Sequence, residues 1–420
     1  MTDIEDKLIR VLAGAADQVP ERARIDLSVA VGSRHRPRRA PAALLAAMAV
    51  VVVAGGAGTA VRTLGSSAVR QPAVNATGTQ GPTPQPDPVP EEKPPPIEKV
   101  WPRALHKISA KLPDGRAYHP QSLLDDRTLL VMTGASDGRK QFLWSYDLKT
   151  GEPRRITEIP TRNSTLYAEG VTAGGGDIVW WASYKDPGRQ RVARIWTVPV
   201  GGGTPRKVAD VPLENVMKKG HIRALEVVGR DVVFSRESGG VYRVPLRGGE
   251  PRAVPGTAGQ HLLRWPWVGH HTNRGTSAKR NDAATLTVFA KLFDAETGKW
   301  RDAVVKPYET FVRCGVDRCY GQSLPKGSNP RKFVRDRDGS RDRTLPFDVQ
   351  IDDPGLERFY KRMPRGGGVF LYDLVTGTSA DLGVRRDERG NTSIPDGGFD
   401  RLMTYRVGEK MYVVDLAAIR

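Results

Sequence analysis

A recurring alternation of apolar and polar residues marks the C-terminal three quarters of the chain. In the clearest copy, WSYDLKTGEPRRIT at residues 144–157, the apolar residue Tyr146 lies five positions before the turn glycine Gly151, and Trp144 lies two positions earlier. Residues at alternate positions of a strand share one face. The pattern therefore predicts a half-buried strand, a tight turn and a second strand.

The same register fits six further places. The turn glycines recur at intervals of 38 to 52 residues, and Ile419 holds the equivalent position in the last copy. Five positions earlier every copy has an apolar residue, namely Tyr146, Val198, Val244, Phe293, Val334, Tyr372 or Val414. This period, with four short strands per unit, is typical of a β-propeller. We predict an all-β fold with a seven-bladed propeller over residues 101–420; six blades is the alternative, because the Gly339 copy lacks an apolar residue at Asp336.

The two ends of the repeat region complement each other. Residues 107–113, KISAKLP, resemble the second strands at 155–160 and 207–212, but no first strand precedes them. The last copy stops without its outer strand. We therefore expect strand 105–112 to pair with residues 410–416 and close the ring, which leaves no exposed strand edge there.

An uncharged stretch at residues 40–61 predicts a single transmembrane helix, because its 22 residues span ~33 Å. Arg34, Arg36, Arg38 and Arg39 precede it, so residues 1–39 should be cytoplasmic and the propeller extracytoplasmic. The alternative is a cleaved signal peptide, which the pair Arg38-Arg39 would make one of twin-arginine type.

Two further segments flank this stretch. Residues 2–16 fit a short amphipathic helix, which would pack on a cytosolic partner, on its own copy in a dimer or on the membrane surface; a frayed segment without function is the alternative. Residues 62–100 form a linker, and 71–100 carry nine prolines. Such a segment favours extended polyproline II and would act as a spacer of up to ~90 Å, or as a disordered tether.

The charge of the chain is strongly positive. The formal net charge is +18, of which residues 101–420 contribute +16 from 53 Lys and Arg against 37 Asp and Glu. Arginines are spread over every repeat, with no compact basic stripe, so we expect no nucleic acid partner. The charge is consistent either with a soluble cationic surface or with attraction to anionic polymers.

The two cysteines, Cys314 and Cys319, are a candidate disulfide across a hairpin, since a pair of thiolates alone makes a poor zinc site. A free buried pair is the alternative. The other unusual cluster is a weak candidate for a ligand site that would hold a metal or a glycan: Trp265, Trp267, His270 and His271. Adjacent strand residues point to opposite faces, however, so both imidazoles would not easily reach one ion.

Motifs for catalysis, phosphate binding and a cofactor are not found in the sequence. Asp336, Asp338, Ser340 and Asp342 have the spacing of a calcium loop. The glycine is displaced and Phe347 replaces the closing glutamate, so a solvated hairpin tip is the favoured interpretation. We predict no catalytic residue, cofactor or metal ligand.

Residues 119–420 resemble the WD40-like and TolB-like β-propellers, whose blades often end in YDLxTGxxRxLT; YDLKTGEPRRIT at 146–157 is an almost complete match. The full layout is similar to membrane-anchored propeller proteins of actinobacteria. The GH and WD dipeptides of true WD40 repeats are missing. In some proteins with this layout, the cytosolic helix pairs with a transcription regulator. Residues 1–39 lack the HxxxCxxC motif of zinc anti-sigma factors, which weakens that analogy. The resemblance implies a fold and a scaffold role, but no particular ligand.

Two classes of function remain open from the sequence. The first is a tethered binding, scaffold or sensor module for envelope proteins or for an anionic cell-wall polymer. The second is a propeller-type hydrolase or lyase that acts on cell-envelope glycans. Three or more titratable side chains within hydrogen-bond reach in the central channel would favour the enzyme.

Overall fold

The computed structural model describes residues 93–420 except 135–139, 161–167, 186–190, 214–221, 271–286, 325–328, 347, 365–366 and 398–399. The helix predicted at 2–16, the apolar stretch 40–61 and the linker as far as residue 92 lie outside this part. Among the described residues, no helix is both long and apolar enough to cross a membrane.

The described chain folds into seven small antiparallel sheets, six with four strands and one with three. It begins with helix α1 (Ile97–Val100), a 3-10 turn (Pro102–Ala104) and strand β1 (Leu105–Ser109). Blade 1 consists of β2 (Tyr118–Leu123), β3 (Thr128–Thr133), β4 (Phe142–Asp147) and β5 (Pro153–Glu158). Blade 2 consists of β6 (Glu169–Gly174), β7 (Asp177–Lys185), β8 (Arg191–Pro199) and β9 (Arg206–Pro212). Blade 3 consists of β10 (Ile222–Val228), β11 (Asp231–Arg236), β12 (Val241–Pro245) and β13 (Arg252–Ala253).

The next three sheets repeat the four-stranded order. Blade 4 consists of β14 (His261–Arg264), β15 (Trp267–Gly269), β16 (Lys291–Asp294) and β17 (Trp300–Asp302). Blade 5 consists of β18 (Glu309–Cys314), β19 (Arg318–Ser323), β20 (Arg331–Asp336) and β21 (Arg343–Leu345). Blade 6 consists of β22 (Val349–Gly355), β23 (Phe359–Arg362), β24 (Phe370–Asp373) and β25 (Ser379–Asp381). Blade 5 contains the doubtful Gly339 copy and packs against blade 6, so the prediction of seven blades is confirmed.

Blade 7 joins the two ends of the described chain. Its strands are β26 (Leu402–Val407), β27 (Lys410–Asp415) and β1, in the order β26-β27-β1. The register runs from Leu105 opposite Val414 to Ser109 opposite Lys410. The predicted pairing of these two segments is confirmed, although β1 ends at Ser109. The place of an inner strand is held by an isolated bridge between Asp396 and Thr404. Strand β1 is therefore the outer strand of the last blade and closes the ring.

The turns between the third and fourth strands explain the sequence repeat. In blade 1, Asp147 Oδ1 accepts hydrogen bonds from the amides of Lys149 and Thr150, both at 2.8 Å. Gly151 then takes a left-handed φ of 78°, which favours glycine. Asp294 and Asp373 make the same kind of turn in blades 4 and 6. The YDLxTG pattern is thus local hairpin chemistry.

The apolar cores lie between neighbouring blades. Val179 and Ile195 of blade 2 pack in one cluster with Val232, Phe234 and Val244 of blade 3, and all five are fully buried. Another cluster joins blades 1 and 2 around Trp180. Because each blade buries apolar side chains against its neighbours, the stability of the ring depends on every interface being complete.

Two buried arginines replace apolar packing in blade 5. The Arg335 guanidinium forms a two-pronged ion pair with Glu309, and its Nη2 donates at 2.6 Å to both Glu309 Oε2 and the Val304 carbonyl. Arg337 donates to the carbonyls of Gly315 at 2.7 Å and Ala290 at 2.8 Å. Burial lowers the pKa of Arg337 to about 10, so it stays charged at neutral pH. The two arginines lie on either side of Asp336 in the sequence, where the Gly339 copy departs from the apolar pattern; Asp336 itself pairs with Arg341.

The last linker residues already belong to the folded body. The Pro95 carbonyl accepts from the Asp381 amide at 2.8 Å, and Pro96 forms a parallel bridge with Asp381 on the outer edge of blade 6. Lys93 pairs with the Asp381 carboxylate at 3.3 Å, and Ile97 is fully buried. The chain is therefore fixed to blade 6 before it completes blade 7.

Candidate functional site

The first strands of the blades face a central channel, since β2, β6, β10 and β14 contact one another in turn. A pocket of about 430 Å³ lies in this channel. Every blade contributes to its lining, through Gln121, Thr172, Glu226, Arg264, Val316, Glu357 and Asp400 in blades 1 to 7. We call this the channel pocket. Its volume lies within the usual range for small-ligand sites.

Glu357 ties blade 6 to the first hairpin of blade 5. Its carboxylate accepts from the amides of Val316, Asp317 and Arg318 at 2.6, 3.0 and 2.9 Å. A side chain at Gly315 would overlap this carboxylate, so the hairpin needs glycine there. Three backbone donors leave the Glu357 carboxylate little freedom to move.

Glu226 occupies a different environment in the same pocket. One carboxylate oxygen accepts from the Trp265 amide at 3.0 Å, and the side chain is largely withdrawn from water. Burial raises the pKa of Glu226, the charge of Asp400 raises it further, and Arg264 opposes both effects. Glu226 therefore keeps its proton to a higher pH than an ordinary glutamate does.

The described titratable groups of the channel pocket do not form a hydrogen-bonded cluster. Arg264 and Glu357 make an ion pair at 3.8 Å, which is longer than a hydrogen bond. The hydrogen bonds of Glu226 and Glu357 go to backbone amides of blades 4 and 5. The arrangement fixes the ends of the blades and gives the channel a partly acidic surface.

The two tryptophans of the predicted aromatic and histidine site contact separate partners. Trp265 lies in the turn after β14, and its Nε1 donates to Glu296 at 2.7 Å. Trp267 starts β15 beside Arg301, whose guanidinium is 5.9 Å from the ring centre. His270 is exposed, three residues further along, or about 10 Å in an extended chain. His271 lies outside the described residues.

Cys314 and Cys319 form a disulfide, as the sequence predicted. They face each other across β18 and β19 and are buried beside Val312 and Phe333. The disulfide closes the hairpin whose tip amides bind Glu357. It therefore supports the wall of the channel pocket.

Candidate metal ligands are not gathered in the described part of the chain, where no three His, Cys, Asp or Glu side chains are placed to hold an ion. In the hairpin with calcium-like spacing, Asp336 pairs with Arg341 and Asp342 with Lys306 at 2.6 Å. Asp338 accepts from Ser340 in its own turn. These contacts agree with a solvated hairpin tip.

The residues of the channel pocket had no signal in the sequence. Glu226, Glu357 and Asp400 come from three different blades and stand in no shared motif. The sequence carries a weaker signal for the ion pairs near the pocket. In three blades, the arginine that precedes the second strand pairs with the aspartate that ends the third strand. The pairs are Arg127–Asp147 at 2.7 Å, Arg358–Asp373 at 2.7 Å and Arg401–Asp415 at 2.9 Å.

The seven sheets place the chain in the class of β-propellers, and comparison with known proteins shows no family for it. Neither a family model nor a curated protein matches the sequence. The solved structures similar to it include an acylaminoacyl peptidase of Pyrococcus horikoshii, with 12% identity and a TM-score of 0.41 over 71% of this chain and 51% of that one. The β-propeller domain of the Trilobed protease from Pyrococcus furiosus has 14% identity and a TM-score of 0.42 over 74% of this chain and 96% of that one.

A putative TolB from Agrobacterium tumefaciens is a third similar structure, with 13% identity and a TM-score of 0.31 over 58% of this chain and 87% of that one. The chain spans about half the length of the acylaminoacyl peptidase structures that it matches. These likenesses are distant, and the assignment of the fold rests on the seven sheets of the chain itself.

Proposed function

We propose that the chain is a membrane-tethered, extracytoplasmic binding module whose propeller holds an anionic polymer of the cell envelope. The observation that carries this proposal is a set of exposed basic residues at equivalent positions of three consecutive blades. We call it the basic rim; its members are Arg154, Arg155, Arg206, Lys207 and Arg252. They stand on β5, β9 and β13, the outer strands of blades 1 to 3.

The basic rim is continuous from one blade to the next. The amide of Gly203, in the last turn of blade 2, donates to the Ile156 carbonyl of blade 1 at 3.4 Å. In the same way Gly249 of blade 3 donates to the Val208 carbonyl of blade 2 at 3.2 Å. Each outer strand therefore touches the turn of the next blade, and the basic side chains follow one curved edge.

The charges of the rim are only partly neutralised. Arg155 pairs with Glu158 and Lys207 with Asp210, both at 3.3 Å, and such exposed pairs are weak. Arg206 and Arg252 have no ion-pair partner among the described residues. A polymer with regularly spaced negative charges would gain from several such contacts at once, and its binding would weaken with salt. Charged outer strands also prevent edge-to-edge pairing between molecules. The experiment must distinguish this simpler role from polymer binding.

The test is co-sedimentation of the full chain with immobilised dextran sulfate, with neutral dextran as the reference. The variant R154E/R206E/R252E reverses one charge per blade, and R389E/R406E/K410E reverses three exposed charges elsewhere. We expect the rim variant to lose at least about tenfold in affinity, a loss of about 1.4 kcal/mol. The control should lose much less. Equal losses in the two variants would show that net charge alone attracts the polymer and would reject the rim.

The second candidate function, a hydrolase or lyase of envelope glycans, draws support from Glu226. A carboxyl group with a raised pKa beside a second carboxyl, here Asp400, is an arrangement that glycan-cleaving enzymes use. The assay is release of new chain ends from isolated cell walls by the full chain. Turnover by the wild type that is lost in Glu226→Gln would favour the enzyme; binding without turnover favours the module.

A further inference from the structure

A second concave site lies where the N-terminal and C-terminal parts of the described chain meet. The 3-10 turn Pro102–Ala104 contacts the 3-10 helix Leu416–Ala418 beside the start of β1. A groove of about 760 Å³ runs along this seam. We call it the seam groove. It is separate from both the channel pocket and the basic rim.

Much of the seam groove is apolar. The half-buried Trp101 lines it together with Ala104, Ala418 and Ile419. The Trp101 ring meets Phe359 edge to face, with 6.3 Å between ring centres, so its position is fixed by packing. The ring therefore gives the groove a fixed apolar surface beside its charged groups.

The charged groups of the groove determine whether it favours an anionic or a cationic ligand. Arg401 donates to Asp126 at 2.8 Å and to Asp415 at 2.9 Å, so one guanidinium satisfies both acidic side chains. Arg103 and Arg420 also line the groove; both are exposed and have no ion-pair partner among the described residues. Burial lowers the pKa of His106, which therefore stays neutral at pH 7. The uncommitted charges are the Arg103 and Arg420 cations.

We propose that the seam groove binds an anionic amphiphile, whose apolar body packs on Trp101 and Ala418 while its carboxylate or phosphate pairs with Arg103. An apolar tail of about ten carbons would lose its contact with water, and the guanidinium fork would bind the head group in a two-pronged contact. This proposal is independent of polymer binding at the rim. Either one can fail without the other.

The experiment is isothermal titration of the full chain in nanodiscs of zwitterionic lipid, with empty nanodiscs subtracted. Three probes distinguish the contribution of the charged head group from that of the apolar tail: decanoate, decyltrimethylammonium and acetate. Decanoate should bind at least about tenfold more tightly than the other two. Equal affinity for decanoate and decyltrimethylammonium would overturn the proposal, because the groove would then bind any apolar chain.

Two variants locate the bound probe. Ala418→Trp fills the groove from an exposed position, and Arg103→Glu reverses the charge at its edge. Each should weaken decanoate binding by about tenfold or more, whereas Arg389→Glu should not. Unchanged affinity in Arg103→Glu, with an unchanged thermal midpoint, would place the ligand elsewhere and refute the site.

A lipid head group carries the same chemistry as a free amphiphile. The titration is therefore repeated in nanodiscs that contain phosphatidylglycerol. Competition with decanoate, seen in the wild type and lost in Ala418→Trp, assigns the occupant to the bilayer. Undiminished decanoate binding assigns it to a free molecule.

Discussion

Single side chains at the ends of the blades decide how the channel is built. Glu357 binds three amides of the neighbouring hairpin, and Arg337 binds carbonyls of blades 4 and 5. Such groups are costly to bury unless every partner is present. The polar contacts around blade 5 therefore make that part of the ring sensitive to single substitutions.

Gly315→Ala tests the fit between the blade 5 hairpin and Glu357. The new methyl group would overlap the carboxylate, so we expect a loss of about 1–3 kcal/mol in the free energy of unfolding, measured with urea. Gly201→Ala is the matched control, because nothing lies within 4 Å of a side chain there. It should change stability by less than about 0.5 kcal/mol. Similar losses in both variants would contradict the described contact.

Glu226→Gln tests the raised pKa in the channel pocket. Above the ordinary pKa of 4.5 the unfolded chain has lost this proton, whereas the folded chain keeps it until the raised pKa is passed. Ionisation of Glu226 therefore costs stability as the pH rises through that window. Gln stays neutral, so the variant should be more stable than the wild type at pH 8 and should lose this advantage near pH 4.

The readout is the difference in free energy of unfolding between variant and wild type at the two pH values. Glu409→Gln, at an exposed turn, serves as the control and should show little difference at either pH. A Glu226→Gln variant whose advantage does not change between pH 4 and pH 8 would mean that burial does not hold the proton.

At the scale of elements, the hairpins could be predicted from the sequence, whereas the lining of the channel could not. The turn at Gly151 depends on residues within five positions of it, so the same short motif recurs in the sequence of other blades. Blade 5 shows only part of that motif. Arg335 and Arg337 are buried there because they bind groups that lie far from them in the sequence. Glu226 and Asp400 meet only after the ring has closed, so no motif could bring them together in advance.

Strand β1 is the element on which closure depends. Deleting residues 101–113 removes the outer strand of blade 7 and the buried Ile108 and Leu112. We expect the thermal midpoint of the full chain to fall by on the order of 5 to 10 °C. Deleting residues 78–90 removes an equal length of linker and should leave the midpoint unchanged. Equal midpoints for the two deletions would refute closure through β1.

At the scale of the whole molecule, the propeller is expected to stand outside the membrane on a proline-rich spacer. The uncharged stretch 40–61 and the arginines before it carry that expectation. Protease added to intact cells should therefore remove the propeller and leave residues 1–39 protected, detected with an N-terminal tag. Full-size propeller released into the medium would instead indicate a cleaved signal peptide.

The central claim is that an ordered edge of positive charge on blades 1 to 3 holds an anionic polymer of the envelope. The most direct measurement is retention of the full chain on isolated cell walls between about 50 and 500 mM salt, for the wild type and for R154E/R206E/R252E. We predict that wild-type retention falls steeply with salt, and that the rim variant is retained weakly throughout. Retention of the variant equal to that of the wild type at every salt concentration would contradict the account.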